Sequence, residues 1–153
     1  MTQTEPARAV VDRDRQRRRR LSPVSRRLVI AVGALISTDL AGGLLSIAAG
    51  LKAWETAWSS AALLAAPMPM MLGQILLTWL SVRTDRRWAA WAAGLLAVAC
   101  AASILSGFFD GGLRNSALSP ALFGFQLFLL AITAVVGVLA GARTVEIVRG
   151  RRA

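Results

Sequence analysis

The chain contains no histidine and no tyrosine, a single cysteine and a single lysine. Without histidine there is no Ser-His or Cys-His pair to activate a nucleophile, and no imidazole to ligate haem, zinc or copper. Cys100 has no second thiol for an intrachain disulfide or a CxxC redox pair, and in its apolar stretch it is expected to stay an unreactive thiol. Lys52 lacks the surrounding motif of a Ser-Lys dyad, and no two carboxylates fall at hydrolytic or metal-binding spacing. These absences argue against an enzyme and against any bound metal or cofactor. Acidic residues are scarce as well: 8 Asp and Glu stand against 18 Lys and Arg, for a net charge of +10.

What the chain has in quantity is apolar sequence. Its 153 residues are 56% hydrophobic with a mean hydropathy of +0.56, too apolar for a soluble domain and too short for more than one membrane bundle. Four stretches, over about 28–50, 59–82, 88–109 and 119–142, are each long enough to cross a hydrocarbon core of about 30 Å. They are apolar on every face rather than striped, which excludes a soluble helical protein. The expected fold is all-α: an integral membrane four-helix bundle over 23–143, preceded by a disordered basic tail (1–22) and followed by a basic C-terminus (144–153).

Local signals agree with these spans. Ser22-Pro23 and Ser119-Pro120 each offer an N-cap followed by proline at the first helical position. Trp54 and Trp58 in the loop LKAWETAW, and Trp88 and Trp91 near the third stretch, suit the membrane interface. Asp110-Gly111 marks a turn before the fourth. A basic start before an apolar run resembles a signal peptide, but this run exceeds the usual h-region and three more follow, so it reads as a span.

The arginines give the topology. Nine Lys or Arg lie in the tail through Arg27, three in the 83–87 turn and four from Arg143 onward, against only Lys52 and Arg114 on the other side. The positive-inside rule then places both termini in the cytoplasm of a plasma-membrane protein. The run Arg17, Arg18, Arg19, Arg20, with Arg26 and Arg27, should attract anionic lipid headgroups. Nucleic acid is not expected, because no aromatic platform or folded reader accompanies the charge. Arginine-for-lysine usage and abundant alanine point to a high-GC bacterial genome.

Asp39 is the leading candidate for chemistry. It lies near the middle of the first span, where an acidic side chain costs about 2.5–3.5 kcal/mol, and no Lys or Arg occupies a matching depth in another span. Two roles are open to it: a site that loads and releases a proton or cation, with Thr38 beside it, or an interhelical hydrogen bond. Pro67 and Pro69 are expected to interrupt the second span at about the depth of Asp39, either lining a site or only kinking the helix. Gln74 and Gln126 should lie about 6 Å to either side of the midplane at 1.5 Å per residue, with Thr78 and Thr133 extending a polar path. Small residues at four-residue spacing (Ala34, Thr38, Gly42, Ser46 and Gly50; Thr133, Gly137 and Gly141) read as packing stripes.

Four spans with an acid in the first are similar in outline to the small multidrug-resistance transporters. The likeness ends there: the acid is Asp39, not Glu, the Tyr- and Trp-rich surroundings are missing, and the basic tail is extra. The function expected from the residues is that of a non-catalytic packing or accessory component of a membrane assembly, acting as a homo-oligomer or with another membrane protein. The alternative is a small proton- or cation-coupled transporter using Asp39.

Overall fold

The computed structural model describes residues 21–51, 53–54, 65–83, 87–109 and 119–150. The Arg17–Arg20 run, Lys52, Trp58, Arg114 and the Asp110-Gly111 turn lie outside the described residues. Within them the chain forms four helices and no strand: α1 (Pro23–Ala48), α2 (Met68–Arg83), α3 (Arg87–Phe109) and α4 (Pro120–Arg149). Three of them, all but α2, are long and apolar enough to cross a membrane.

Both Ser-Pro pairs start helices as their chemistry dictates. Ser22 Oγ accepts the Ser25 N–H at 3.1 Å and Ser119 Oγ accepts the Leu122 N–H at 3.4 Å, each with proline in the first turn. The other end of α1 is closed by Gly50, whose φ of 66° lets Leu51 N–H reach Ser46 O (3.0 Å) and Gly50 N–H reach Ile47 O (3.0 Å). That pair of bonds is a Schellman cap. Gly50 therefore ends α1 and does not pack it: it is exposed and a Cβ there would meet nothing within 4 Å.

Among the described residues, the prolines of the second stretch fall at the start of α2, after the non-helical residues 65–67. Pro67 precedes α2, with its carbonyl accepting from Met70 N–H (2.9 Å) and Met71 N–H (3.2 Å), and Pro69 occupies the first turn, where the missing N–H has no partner to lose. Residues 55–64 lie outside the described part, so the expected helix over 59–82 is seen only from Met68. Its 16 residues extend about 24 Å, less than the hydrocarbon core. In the opposite sense α4 continues past the expected limit at 142 to Arg149. No proline or glycine interrupts 142–149, and Ile147, buried, carries the inner stripe onward.

Contacts fix the topology. Ser22 at the start of α1 meets Glu146 near the end of α4, Arg143 of α4 meets Ser81 near the end of α2, and Gly94 near the start of α3 faces Thr144. Asp39, toward the far end of α1, meets Ala66 just before α2. Successive helices are therefore antiparallel and pack on their chain neighbours, α3 with α4 most extensively, while α4 closes on α1.

Apart from Gly43 beside Gly42 and Gln126 two turns before Thr133, buried positions advance by threes and fours: Ser25, Leu28, Val32, Leu35, Asp39, Gly42 and Ser46 on α1; Met71, Gln74, Thr78 and Ser81 on α2; Thr133, Val136, Ala140, Arg143 and Ile147 on α4. A mean step of 3.5 residues keeps a seam facing its neighbour in a left-handed bundle. The four-residue stripes drift off that seam by about 40° per step. Gly42 and Ser46 are buried, but Ala34 is exposed. In α4, Thr133 is buried and Gly137 is the point of closest approach, where a Cβ would stand 3.1 Å from Cys100 Cβ. Gly141 is partly buried with open space around it.

Candidate functional site

Polarity in this bundle is inverted. Leu28, Val32, Leu35, Leu96, Cys100, Val136 and Ala140 form a narrow apolar core, and the same inner faces carry Ser25, Asp39, Ser46, Gln74, Thr78, Ser81, Gln126, Thr133 and Arg143. The outer faces are Leu, Ile, Val and Trp, with Ile30 62% and Trp91 76% exposed. Water as the outer solvent would favour the reverse arrangement, whereas hydrocarbon favours this one.

At one end lies a charged cluster that the sequence did not disclose. Arg143, only 5% exposed, donates from Nη1 to Glu146 Oε2 at 3.0 Å and from Nε to Ser81 O at 3.4 Å. The Ser22 hydroxyl donates to the same Glu146 oxygen at 3.1 Å and lies 3.1 Å from Ser25 Oγ. Ser81 is in the last turn of α2, whose carbonyls have no partner within their own helix, so Arg143 caps α2 from across the bundle. Sequence reading assigned Arg143 to a basic flank. The clue it held was position, because Arg143 continues the Thr133, Val136, Ala140 stripe, with Glu146 one turn on. Every described arginine lies at this end, including exposed Arg26, Arg27, Arg83, Arg87 and Arg149. Arg83 stacks over the Trp79 ring at 4.1 Å, and Trp88 and Trp91 sit close by in sequence at the start of α3.

Asp39 is deeper in the bundle and 2% exposed. Its Oδ1 accepts the Ala66 N–H at 2.9 Å, which ties α1 to the non-helical lead-in of α2. Its Oδ2 is buried with no partner among the described residues. The same holds for Ser46 Oγ, Gln74 Oε1, Thr78 Oγ1 and Gln126 Oε1, on three different helices. Thr38, expected beside the site, is half-buried and donates its hydroxyl to Ala34 O at 2.8 Å on its own helix. Thr133 bonds Leu129 O in the same way at 2.8 Å.

Heights along the bundle follow from the contacts between helices. With Ser81 and Arg143 as origin and about 1.5 Å per residue, Thr78 lies about 4.5 Å up, Gln74 about 10 Å, Thr133 about 15 Å and Gln126 about 25 Å. Registering α1 through Ser22 and Glu146 puts Asp39 about 21 Å up and Ser46 about 31 Å up. The Asp39–Ala66 bond checks this independently, since Ala66 falls about 22 Å above Ser81 on α2. Gln74 thus lies about 11 Å below Asp39 and Gln126 about 4 Å above it.

On the outside, α3 and α4 enclose an open groove of about 590 Å³ lined by Arg87, Ala90, Trp91, Gly94, Leu95, Val98, Thr144 and Val148. Small residues form its floor and Arg87 stands at one end. Among the described residues no cluster of three or more His, Cys, Asp or Glu could hold a metal ion. Comparison with protein-family models, curated proteins and solved structures finds no match.

Proposed function

We propose that this chain is a multi-pass protein of the bacterial plasma membrane, with four spans and both termini in the cytoplasm, that works as a non-catalytic packing or accessory component of a membrane assembly. The observation that carries the reading is the α3–α4 groove. A floor of Ala90, Gly94 and Thr144 lets another transmembrane helix approach closely, and the groove runs about 16 Å, or three turns, from Arg87 to Val98. The clustering of all described arginines at one end supports the orientation. The tail arginines, Arg17–Arg20, add attraction to anionic headgroups of the inner leaflet.

Affinity isolation from native membranes in mild detergent, followed by mass spectrometry, tests the reading. The expected result is a second copy or a foreign membrane protein in stoichiometric amount, lost when Gly94→Leu fills the groove. Recovery of the isolated monomer, or a partner indifferent to Gly94→Leu, sinks it. Reporter fusions at each terminus test the orientation, and an extracytoplasmic signal at either end refutes it.

A second reading, a small proton- or cation-coupled transporter, is favoured by one observation: Asp39 keeps a buried carboxyl oxygen with no partner among the described residues. Its test is pH-gradient-driven flux in vesicles containing the purified protein. Asp39→Asn should abolish the flux, and retained flux in that variant removes Asp39 from any such role.

A further inference from the structure

The five buried oxygens that have no partner among the described residues are neither scattered nor confined to one helix pair. Asp39 Oδ2, Ser46 Oγ, Gln74 Oε1, Thr78 Oγ1 and Gln126 Oε1 come from α1, α2 and α4, and each belongs to a residue at least nine-tenths buried. With Ser81 and Thr133 they form a series in which consecutive polar side chains stand about 4–6 Å apart along the axis, from Ser81 to Ser46. One water molecule accepting or donating on both sides spans about 5.6 Å, twice a hydrogen-bond length. A buried polar oxygen without a partner is costly, and in folded proteins such atoms are usually satisfied by ordered water that itself needs two to four polar partners.

We infer that a file of water molecules runs through the interior of the bundle from the Ser81–Arg143 end, past Thr78, Gln74 and Thr133, to Asp39 and on toward Gln126 and Ser46. Among the described residues Asp39 Oδ2 is the carboxyl oxygen along the file, so the file gives it protonic contact with solvent while its Oδ1 stays on Ala66 N–H. At the mouth, the Arg143 charge is balanced by Glu146 at 3.0 Å, and these two are the described charged groups that face the file besides Asp39. The apolar core of Leu28, Val32, Leu35, Leu96 and Val136 comes from α1, α3 and α4, which leaves the inner face of α2, with Gln74, Thr78 and Ser81, as the polar side. The inference extends the Asp39 reading and is tested apart from it.

Silver ion, which is of a size to follow such a file and binds thiols, is the probe. In a Cys100→Ala background, Thr133→Cys places a thiol about midway along the bundle with little change of volume, and Val135→Cys places one at nearly the same depth on the outer face. Vesicles containing each variant are exposed to silver ion, and thiols that survive are counted with a maleimide after denaturation. The Thr133→Cys thiol is expected to be consumed at least tenfold faster than the Val135→Cys thiol. Equal rates, or slower loss at 133, overturn the inference. Circular dichroism of each variant confirms that the helices are intact, and Ser46→Cys provides a second size-conserving position at the far end with the same expected excess. Fast silver loss with no proton flux would leave the file standing and remove the transporter reading. Flux without silver access would do the opposite.

Discussion

Replacing Arg143 with methionine tests whether the buried end cluster holds three helices together. Methionine keeps most of the stem volume and removes the guanidinium, so the Ser81 carbonyl loses its donor at 3.4 Å and Glu146 keeps only the Ser22 hydroxyl among the bonds described above. The Ser81 side is buried. Leaving a buried acceptor unmet costs about 1–3 kcal/mol, and loss of a cation at the α2 C-terminus adds about 0.3–1 kcal/mol. The Glu146 side chain is 37% exposed, so that ion pair is screened and contributes no more than about 1 kcal/mol. Arg143→Met is therefore expected to destabilise the bundle by about 1–5 kcal/mol, and Glu146→Gln by about 0.2–1 kcal/mol. At about 2–4 °C per kcal/mol for a chain of this length, Arg143→Met should lower Tm by roughly 2–20 °C. Thermal unfolding in mild detergent, followed by circular dichroism, gives both values. If Glu146→Gln costs as much as Arg143→Met, or if the latter costs under about 0.5 kcal/mol, the capping role assigned to Arg143 is wrong.

The same measurement reads five further substitutions. Gly141→Ala, into open space, should gain up to about 1 kcal/mol of helix propensity, whereas Gly137→Ala meets Cys100 Cβ at 3.1 Å and should fall below it by about 1–3 kcal/mol. Equal effects would mean that α3 and α4 do not touch there. Gly50→Ala has room but demands a left-handed backbone, so a loss of about 1–2 kcal/mol is expected, and no loss would refute the cap. Asp39→Ala strands the Ala66 N–H and should cost about 1–3 kcal/mol, while Asp39→Asn keeps an acceptor and should stay within about 0.5 kcal/mol of the parent. An Asn variant as unstable as the Ala variant would show that the charge, not the bond, holds α1 to the start of α2.

Helix existence was legible because hydropathy and the Ser-Pro starts are local signals that tertiary context does not override. The inner face was not. In α1 the eye picks out small residues at steps of four, but the bundle selects the 3.5-residue seam that runs through Leu28, Val32 and Leu35, and only a neighbouring helix defines that choice. Pro67 and Pro69 are informative about the backbone and silent on which side of them a helix begins. Asp39, Gln74 and Gln126 stood out as polar residues in apolar runs and do turn inward. Arg143 did not stand out, because an arginine at the edge of an apolar run looks like any other membrane flank until its burial is seen.

The ring order of the helices bears on how the molecule is made. Neighbours in sequence pack on one another, so a ribosome and insertion machinery can deliver the chain as successive hairpins, each finding its mate within a short stretch of chain. The exception is the closing contact. Leu28, Val32 and Leu35 of the first helix share their core with Val136 and Ala140 of the last, and Ser22 waits for Glu146. Until the final thirty-residue helix arrives, the first helix has one flank open to lipid with its serines uncovered there. The last element synthesised thus acts as the latch of the assembly, and a chain interrupted before it would present to membrane quality control the polar face that the finished protein conceals.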